Sequence, residues 1–209
     1  MKISKDDIVV FLGDSVTDCG RDRQEEISFG AGYANIINAL FRISHPDFLV
    51  RFINKGIGGD QTTHVIKRLQ TDVLDYRPNI ITLCIGINDV LGSYYCPCTK
   101  TGVSAEKYRA NMEIIIQRIL DSKVKLLLMT PYLIDTNPLE PMRITMMEFA
   151  DICIDLADKY QLEVINLQEL FESMMTSGIY SYELSTDRIH PSYMGHMAIA
   201  MEIMKRFEA

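Results

Sequence analysis

The sequence predicts an α/β protein, a three-layer α/β/α sandwich built on a parallel sheet of about five strands. Three observations carry that expectation. Short apolar runs of strand length alternate with longer stretches whose apolar residues recur at helical spacing. The run over residues 80–85 is apolar on both alternating faces apart from Thr82, as a strand covered by helices on both sides must be. Each of the first three runs ends in a polar, glycine-containing turn, which is how a buried strand ends at the rim of a sheet.

The elements follow in order. Residues 8–12 form a strand that stops at Gly13, and Tyr33, Ile36, Ile37, Leu40 and Phe41 mark a helix over 33–43. Residues 49–53 read as a second strand. Val65, Ile66, Leu69 and Val73 then mark a helix that Arg77-Pro78 brings to an end. After the strand at 80–85, Ser104 can cap a helix whose stripe is Tyr108, Met112, Ile115, Ile116 and Ile119. Residues 124–129 form a fourth strand, followed by the helical stripe Met146, Phe149, Ala150, Cys153, Ala157 and Tyr160. Residues 162–165 form a short fifth strand. Met194, Met197, Met201 and Met204 line the final helix and read as core filling. The longest irregular stretch runs from about 88 to 102, and a loop of that length is expected to border a site. No repeat or linker divides the chain, so residues 1–209 read as one domain, long enough to bury a full core.

Composition excludes several classes. The 47% hydrophobic and 23% charged content is that of an ordinary globular protein. With 21 basic and 28 acidic residues the formal charge is −7, which argues against nucleic acid or an anionic membrane as partner. No stretch approaches the roughly 20 apolar residues of a membrane span. The first apolar run is too short for a secretory leader and follows Asp6 and Asp7. Five cysteines (19, 84, 96, 98 and 153) make an odd number without framework spacing, so reduced thiols in a cytoplasmic protein are expected. Cys96-Pro97-Cys98 has neither zinc-knuckle nor C-x-x-C spacing, and no metal site is expected. The oligomeric state is left open, homo-oligomers included.

The chemistry is concentrated at Gly13-Asp14-Ser15-Val16-Thr17-Asp18, directly after the first strand. A lone Gly-Asp-Ser reads first as a turn or helix cap. Far downstream, Asp187-Arg188-Ile189-His190-Pro191 supplies an acid and an imidazole three residues apart. Early serine with late aspartate and histidine are the parts of a nucleophilic triad, which is recognised by roles rather than chain order. The architecture tests this independently, because open parallel sheets bind ligands outside the carboxyl ends of their strands. Residues 54–60 and 86–89, the turns after the second and third strands, fall on the same rim as Ser15. The glycine-rich turn at 56–59 lacks the G-x-G-x-x-G spacing and follows the second strand, so it is no dinucleotide fingerprint. G-x-S-x-G is also absent, which disfavours the rival serine-hydrolase fold. Two readings stand: a serine hydrolase, or a flavodoxin-like module holding FMN or another phosphate ligand.

Gly13-Asp14-Ser15, Gly59, Gly86-x-Asn88-Asp89 and Asp187-x-x-His190-Pro191 together resemble the successive sequence blocks of the SGNH hydrolases, the GDSL esterase/lipase superfamily. The blocks occur in order over residues 13–191. Gly13 to Arg21, Asn54-Lys55-Gly56-Ile57, Ile85 to Val90, Met129-Thr130-Pro131 and Pro141-Met142-Arg143 are most similar to the intracellular acetylxylan esterases. The stretch from Leu91 to Cys98 departs from their pattern, in a region that helps shape the substrate pocket. The resemblance implies a flavodoxin-like fold, with Ser15 as nucleophile, His190 as base and Asp187 orienting the imidazole. It assigns the oxyanion donors to the backbone N–H groups of Ser15 and Gly59 and the amide of Asn88. A small-molecule ester, such as an acetylated xylo-oligosaccharide, is the implied substrate, with no metal or organic cofactor. A lysophospholipase or thioesterase with the same triad is the alternative within enzymes.

Other polar residues have plain explanations. His45 reads as a solvated loop residue, His196 as a packed structural histidine, and Asp14, Asp18, Asn54 and Asp89 as turn formers and caps. His64 lies one turn beyond Gly59 and Arg143 ends the Pro-Met-Arg block, so substrate contact or a surface role is open for each. Tyr33, Tyr94 and Tyr95 offer aromatic surfaces for a sugar ring, with core packing equally suited to Tyr33.

Overall fold

The computed structural model describes residues 1–94 and 101–207. Five strands, β1 (Ile8–Gly13), β2 (Arg51–Gly56), β3 (Ile80–Cys84), β4 (Lys125–Met129) and β5 (Glu163–Ile165), form a sheet in the order β2-β1-β3-β4-β5. Every neighbouring pair is parallel. The helices are α1 (Ser15–Asp18), α2 (Tyr33–Ser44), α3 (Thr62–Asp72), α4 (Ile87–Tyr94), α5 (Ala105–Asp121), α6 (Pro141–Tyr160), α7 (Leu167–Thr176), α8 (Ser181–Leu184) and α9 (Tyr193–Arg206).

The helices fall into two packed groups. α3 packs on α5 and α5 on α6, whereas α2, α7 and α8 pack on α9. The central strands are buried throughout: all five residues of β3 and the last five of β1 are inaccessible. Phe11 of β1 stacks on Phe52 of β2 and meets the edge of Tyr33, with ring centroids 5.7 and 5.8 Å apart. Burying a side chain of that size contributes about 1.5–3 kcal/mol.

Several elements differ from the sequence reading. β2 begins and ends later than residues 49–53, because Asn54 and Lys55, which look like turn residues, pair with Phe11 and Leu12. The Asn54 amide is satisfied in place, donating to Thr17 O (2.7 Å) and Phe29 O (2.9 Å) while its oxygen accepts from Gly56 N–H. The stretch read as irregular from 88 opens instead with a helix, α4, whose Ile87 and Val90 face the core. α7, over residues that carried no assignment, buries Leu167, Gln168 and Phe171. On α9 the buried stripe is Gly195, His196, Ile199, Ala200 and Ile203, so the methionines flank the core instead of filling it. Small residues at 195 and 200 let the helix approach closely, while Met194 and Met201 stay exposed.

Candidate active site

β1 pairs with β2 on one side and β3 on the other, so its carboxyl end is where the strand order reverses. The chain turns sharply there. A side chain at Gly13 would lie 2.2 Å from Thr17 Oγ1 and 2.5 Å from Cys84 O, so only glycine fits. Asp14 caps α1, its Oδ1 accepting from Val16 N–H at 3.0 Å, and Ser15 becomes the first residue of the helix, half-buried at the rim. Asp14 Oδ2 has no hydrogen-bond partner among the described residues. Complete burial pushes this carboxyl up to about 7, against the lowering effect of the Val16 N–H.

The Asp187 turn meets Ser15 from the far end of the chain. Asp187 Oδ1 accepts from Ile189 N–H (3.0 Å), His190 N–H (2.8 Å) and Ser185 Oγ (3.0 Å), which folds the segment tightly. Arg188 takes a left-handed conformation within it (φ 71°), unusual for a non-glycine residue. Outside contacts hold it there: Arg188 Nη1 donates to Asp135 at 2.7 Å, Arg188 O accepts from Ile134 N–H, and Tyr132 Oη donates to Ile189 O. The second Asp187 oxygen lies 2.7 Å from His190 Nδ1, and His190 Nε2 lies 2.9 Å from Ser15 Oγ. Partial burial raises the Asp187 carboxyl. The hydrogen bonds from the His190 ring, the two backbone N–H groups and Ser185 outweigh it and hold the group below the ordinary carboxylate range.

The other two rim turns close on the same spot. Gly59 has φ 84°, and a side chain there would meet nothing within 4 Å. Glycine is therefore required by the backbone angle and not by crowding. Asn88 lies in the first turn of α4, and its Nδ2 donates to Asp60 O at 3.0 Å, tying the third turn to the second. Gln61 Nε2 reinforces the junction by donating to Asn88 O and Thr101 O. Beneath it, buried Asp89 accepts from Thr62 N–H and Thr62 Oγ1, anchoring the start of α3. Among the described residues the N–H groups of Ser15 and Gly59 find no protein acceptor. All five residues singled out in the sequence thus converge on the rim formed by β1, β2 and β3.

The remaining candidates divide clearly. His196 is buried, accepts from Tyr33 N–H at Nδ1 (3.2 Å) and sits 3.4 Å from Cys19 Sγ. Burial, with His190 nearby, pushes its pKa down to about 4. His64 Nδ1 accepts from Gln61 N–H and caps α3, and His45 packs on Phe41 and Phe48. Arg143 is buried and bound to Glu172 (2.5 Å) and Asp135 O, joining α6 to α7. Tyr33 is wholly buried with its hydroxyl on Thr17, so it offers no face to a sugar. Tyr94 donates to Pro141 O or shares its hydroxyl with Thr145. Tyr95, Cys96 and Cys98 lie outside the described residues. Cys19, Cys84 and Cys153 are free thiols, and no metal-binding cluster occurs among the described residues.

Ser185, Asp60, Gln61 and Arg68 had escaped the sequence reading. Each acts through a backbone atom or a neighbour's carboxylate, which leaves no spacing signature. The site itself is an open shelf, with the His190 and Asp187 side chains 54% and 52% exposed. A groove of about 820 Å³ between α5 and α6, lined by Arg109, Leu139, Ile144 and Met147 among others, includes none of the rim residues.

Residues 11–198 match the GDSL-like lipase/acylhydrolase family model, spanning the rim from β1 to α9. The chain belongs to that family. It is a carboxylic ester hydrolase with the SGNH hydrolase fold. An acetylxylan esterase of Geobacillus stearothermophilus is 33% identical, with 98% of this chain and 95% of the relative aligned. A crystal structure of a catalytic mutant of Axe2, an acetylxylan esterase from Geobacillus stearothermophilus, superposes with a TM-score of 0.94 at 31% identity, covering 100% of this chain and 98% of the other. LAE5, an α/β hydrolase from the metagenome of Lake Arreo, superposes with a TM-score of 0.92 at 28% identity, covering 97% and 95%. The uncharacterized lipoprotein YqeF of Bacillus subtilis is 31% identical over 60% of this chain and 48% of its own length. No helix among the described residues is long and apolar enough to cross a membrane.

Proposed function

We propose that this hydrolase removes short acyl groups, acetyl above all, from carbohydrate esters such as acetylated xylo-oligosaccharides, with Ser15, His190 and Asp187 as its triad. The observation that carries the reading is the unbroken relay from Ser15 Oγ to His190 Nε2 (2.9 Å) and from His190 Nδ1 to Asp187 (2.7 Å). Ser15 Oγ forms a bond to the ester carbonyl carbon as its proton passes to His190 Nε2. Negative charge then develops on the carbonyl oxygen, where the N–H groups of Ser15 and Gly59 and the Asn88 amide donate to it. Collapse of the tetrahedral adduct breaks the bond to the alcohol, which leaves with the proton from His190. Water, deprotonated by the same imidazole, attacks the acyl-serine, and the acid departs as Ser15 recovers its proton. Asp187, kept ionised, holds Nδ1–H and stabilises the imidazolium in both halves.

Substrate preference is supported by likeness to an acetylxylan esterase over nearly the full chain. The net charge of −7 also disfavours docking on anionic lipid. Residues 1–209 serve as one hydrolase domain in this reading, and the free thiols fit a reducing, cytoplasmic setting. Ser15→Ala and His190→Ala should each cut hydrolysis by several orders of magnitude, and the double variant should be little worse than either. A series of sugar and aryl esters from acetyl to palmitoyl tests the substrate. If kcat/KM climbs steadily beyond octanoyl, the carbohydrate reading gives way to a lysophospholipase or thioesterase.

A further inference from the structure

Arg68, a half-buried arginine on α3 that does not reach the triad, touches the frame of every proposed oxyanion donor. Its Nη2 donates to Gly13 O (3.1 Å), two residues before Ser15, and its Nη1 donates to Lys55 O (2.9 Å) at the end of β2. Its Nε donates to Asp60 Oδ2 at 2.6 Å, and both side chains are nearly inaccessible, 12% and 11% exposed. Asp60 directly follows Gly59, and its backbone oxygen receives the Asn88 amide at 3.0 Å. One planar guanidinium therefore joins the two strand ends to the turn that presents Gly59 and orients Asn88.

We propose that Arg68 and Asp60 are positioning residues that set the geometry of the oxyanion site, holding the Ser15 N–H, the Gly59 N–H and the Asn88 amide in register. The inference rests on the triad reading above. Its physical basis is the fork of Arg68: five N–H donors in a fixed plane can brace three acceptors at once, whereas an ammonium group on a flexible stem cannot. A carboxylate alone at position 60 would leave Gly59 free to pivot, and a donor misplaced by about 1 Å can cost 10²-fold in rate. Because donors act on charge that develops only in the transition state, the effect belongs in kcat and not in substrate affinity.

The test compares Arg68→Lys and Asp60→Asn with wild type on an acetyl ester, measuring kcat, KM and inhibition by methylboronic acid. The tetrahedral boronate on Ser15 places an oxygen where the oxyanion forms, so its affinity reads the donor geometry directly. Each variant is expected to lose about tenfold or more in kcat, with KM within about twofold and boronate affinity weakened in parallel. Asp60→Asn keeps the size of the side chain and an acceptor for Arg68, and it decides the matter if Arg68→Lys does not fold. Wild-type kcat and boronate affinity in a folded variant, or a change confined to KM, would overturn the assignment. Hydrolysis retained by Ser15→Ala would instead remove the triad reading on which it stands.

Discussion

Two buried groups near Ser15 should pull the stability of this protein in opposite directions between pH 4 and 7, and single substitutions should tilt the profile in opposite senses. Asp14 has its carboxyl raised from 3.8 to about 7 by burial. Above pH 4 the unfolded chain releases this proton while the folded chain keeps it, so stability falls as pH rises, until both states are ionised above about 7. The shift of 7 − 3.8 = 3.2, at 1.36 kcal/mol per unit, corresponds to about 4 kcal/mol. His196 has its pKa lowered from 6.5 to about 4, first by burial. As pH falls below 6.5 the unfolded chain gains a proton that the folded chain refuses, so stability is lost on acidification. The shift of 6.5 − 4 = 2.5 corresponds to about 3 kcal/mol. Asp14→Asn, whose amide oxygen can still cap Val16, should unmask the His196 limb: stability rising by about 3 kcal/mol from pH 4 to 7. His196→Asn should unmask the Asp14 limb, with stability falling by about 4 kcal/mol over the same range. Urea unfolding at pH 4, 5.5 and 7 measures both. Curves for the variants that run parallel to wild type would refute the reasoning.

Two further outcomes follow from the rim. Asn88→Ala should lower kcat far more than it raises KM, by about 2.7–4 kcal/mol in the transition state, because its amide matters most as charge develops; steady-state kinetics on an acetyl ester reads the split. Hydrolysis should fail on acidification, since only neutral imidazole can take the Ser15 proton, and a limb that survives in the residual activity of His190→Ala would point to another base. Asp187, held below its ordinary range, stabilises the fold above pH 3.8 and loses that contribution only as pH falls through its lower folded value. Melting profiles of wild type and Asp187→Asn at acid pH would show it, the variant lacking the loss that wild type suffers below pH 3.8.

The sheet and the rim were legible because both leave periodic or compositional marks. Buried strands such as residues 80–85 must be apolar on both faces, and turns at their carboxyl ends must be polar. Ser15, Gly59, Asn88, Asp187 and His190 stood out because motif blocks carry them. What escaped was held by side chain to backbone contacts. Asn54 looks like a turn residue until its amide is seen serving Thr17 and Phe29 inside the strand. α9 misled in another way: its methionines repeat at helical spacing, but so does the adjacent stripe of Gly195, Ile199 and Ile203, and it is that stripe which is buried.

The Ser15 hydroxyl and its partner imidazole stand 175 residues apart in the chain. Loop closure over that span is slow relative to local helix formation, and here the imidazole precedes α9, the helix that packs against α2. A nascent or partly refolded chain therefore carries an inert serine, however complete its first strands are. On dilution from denaturant, recovered esterase activity should trail the return of helical signal, making turnover itself a reporter of the final docking step.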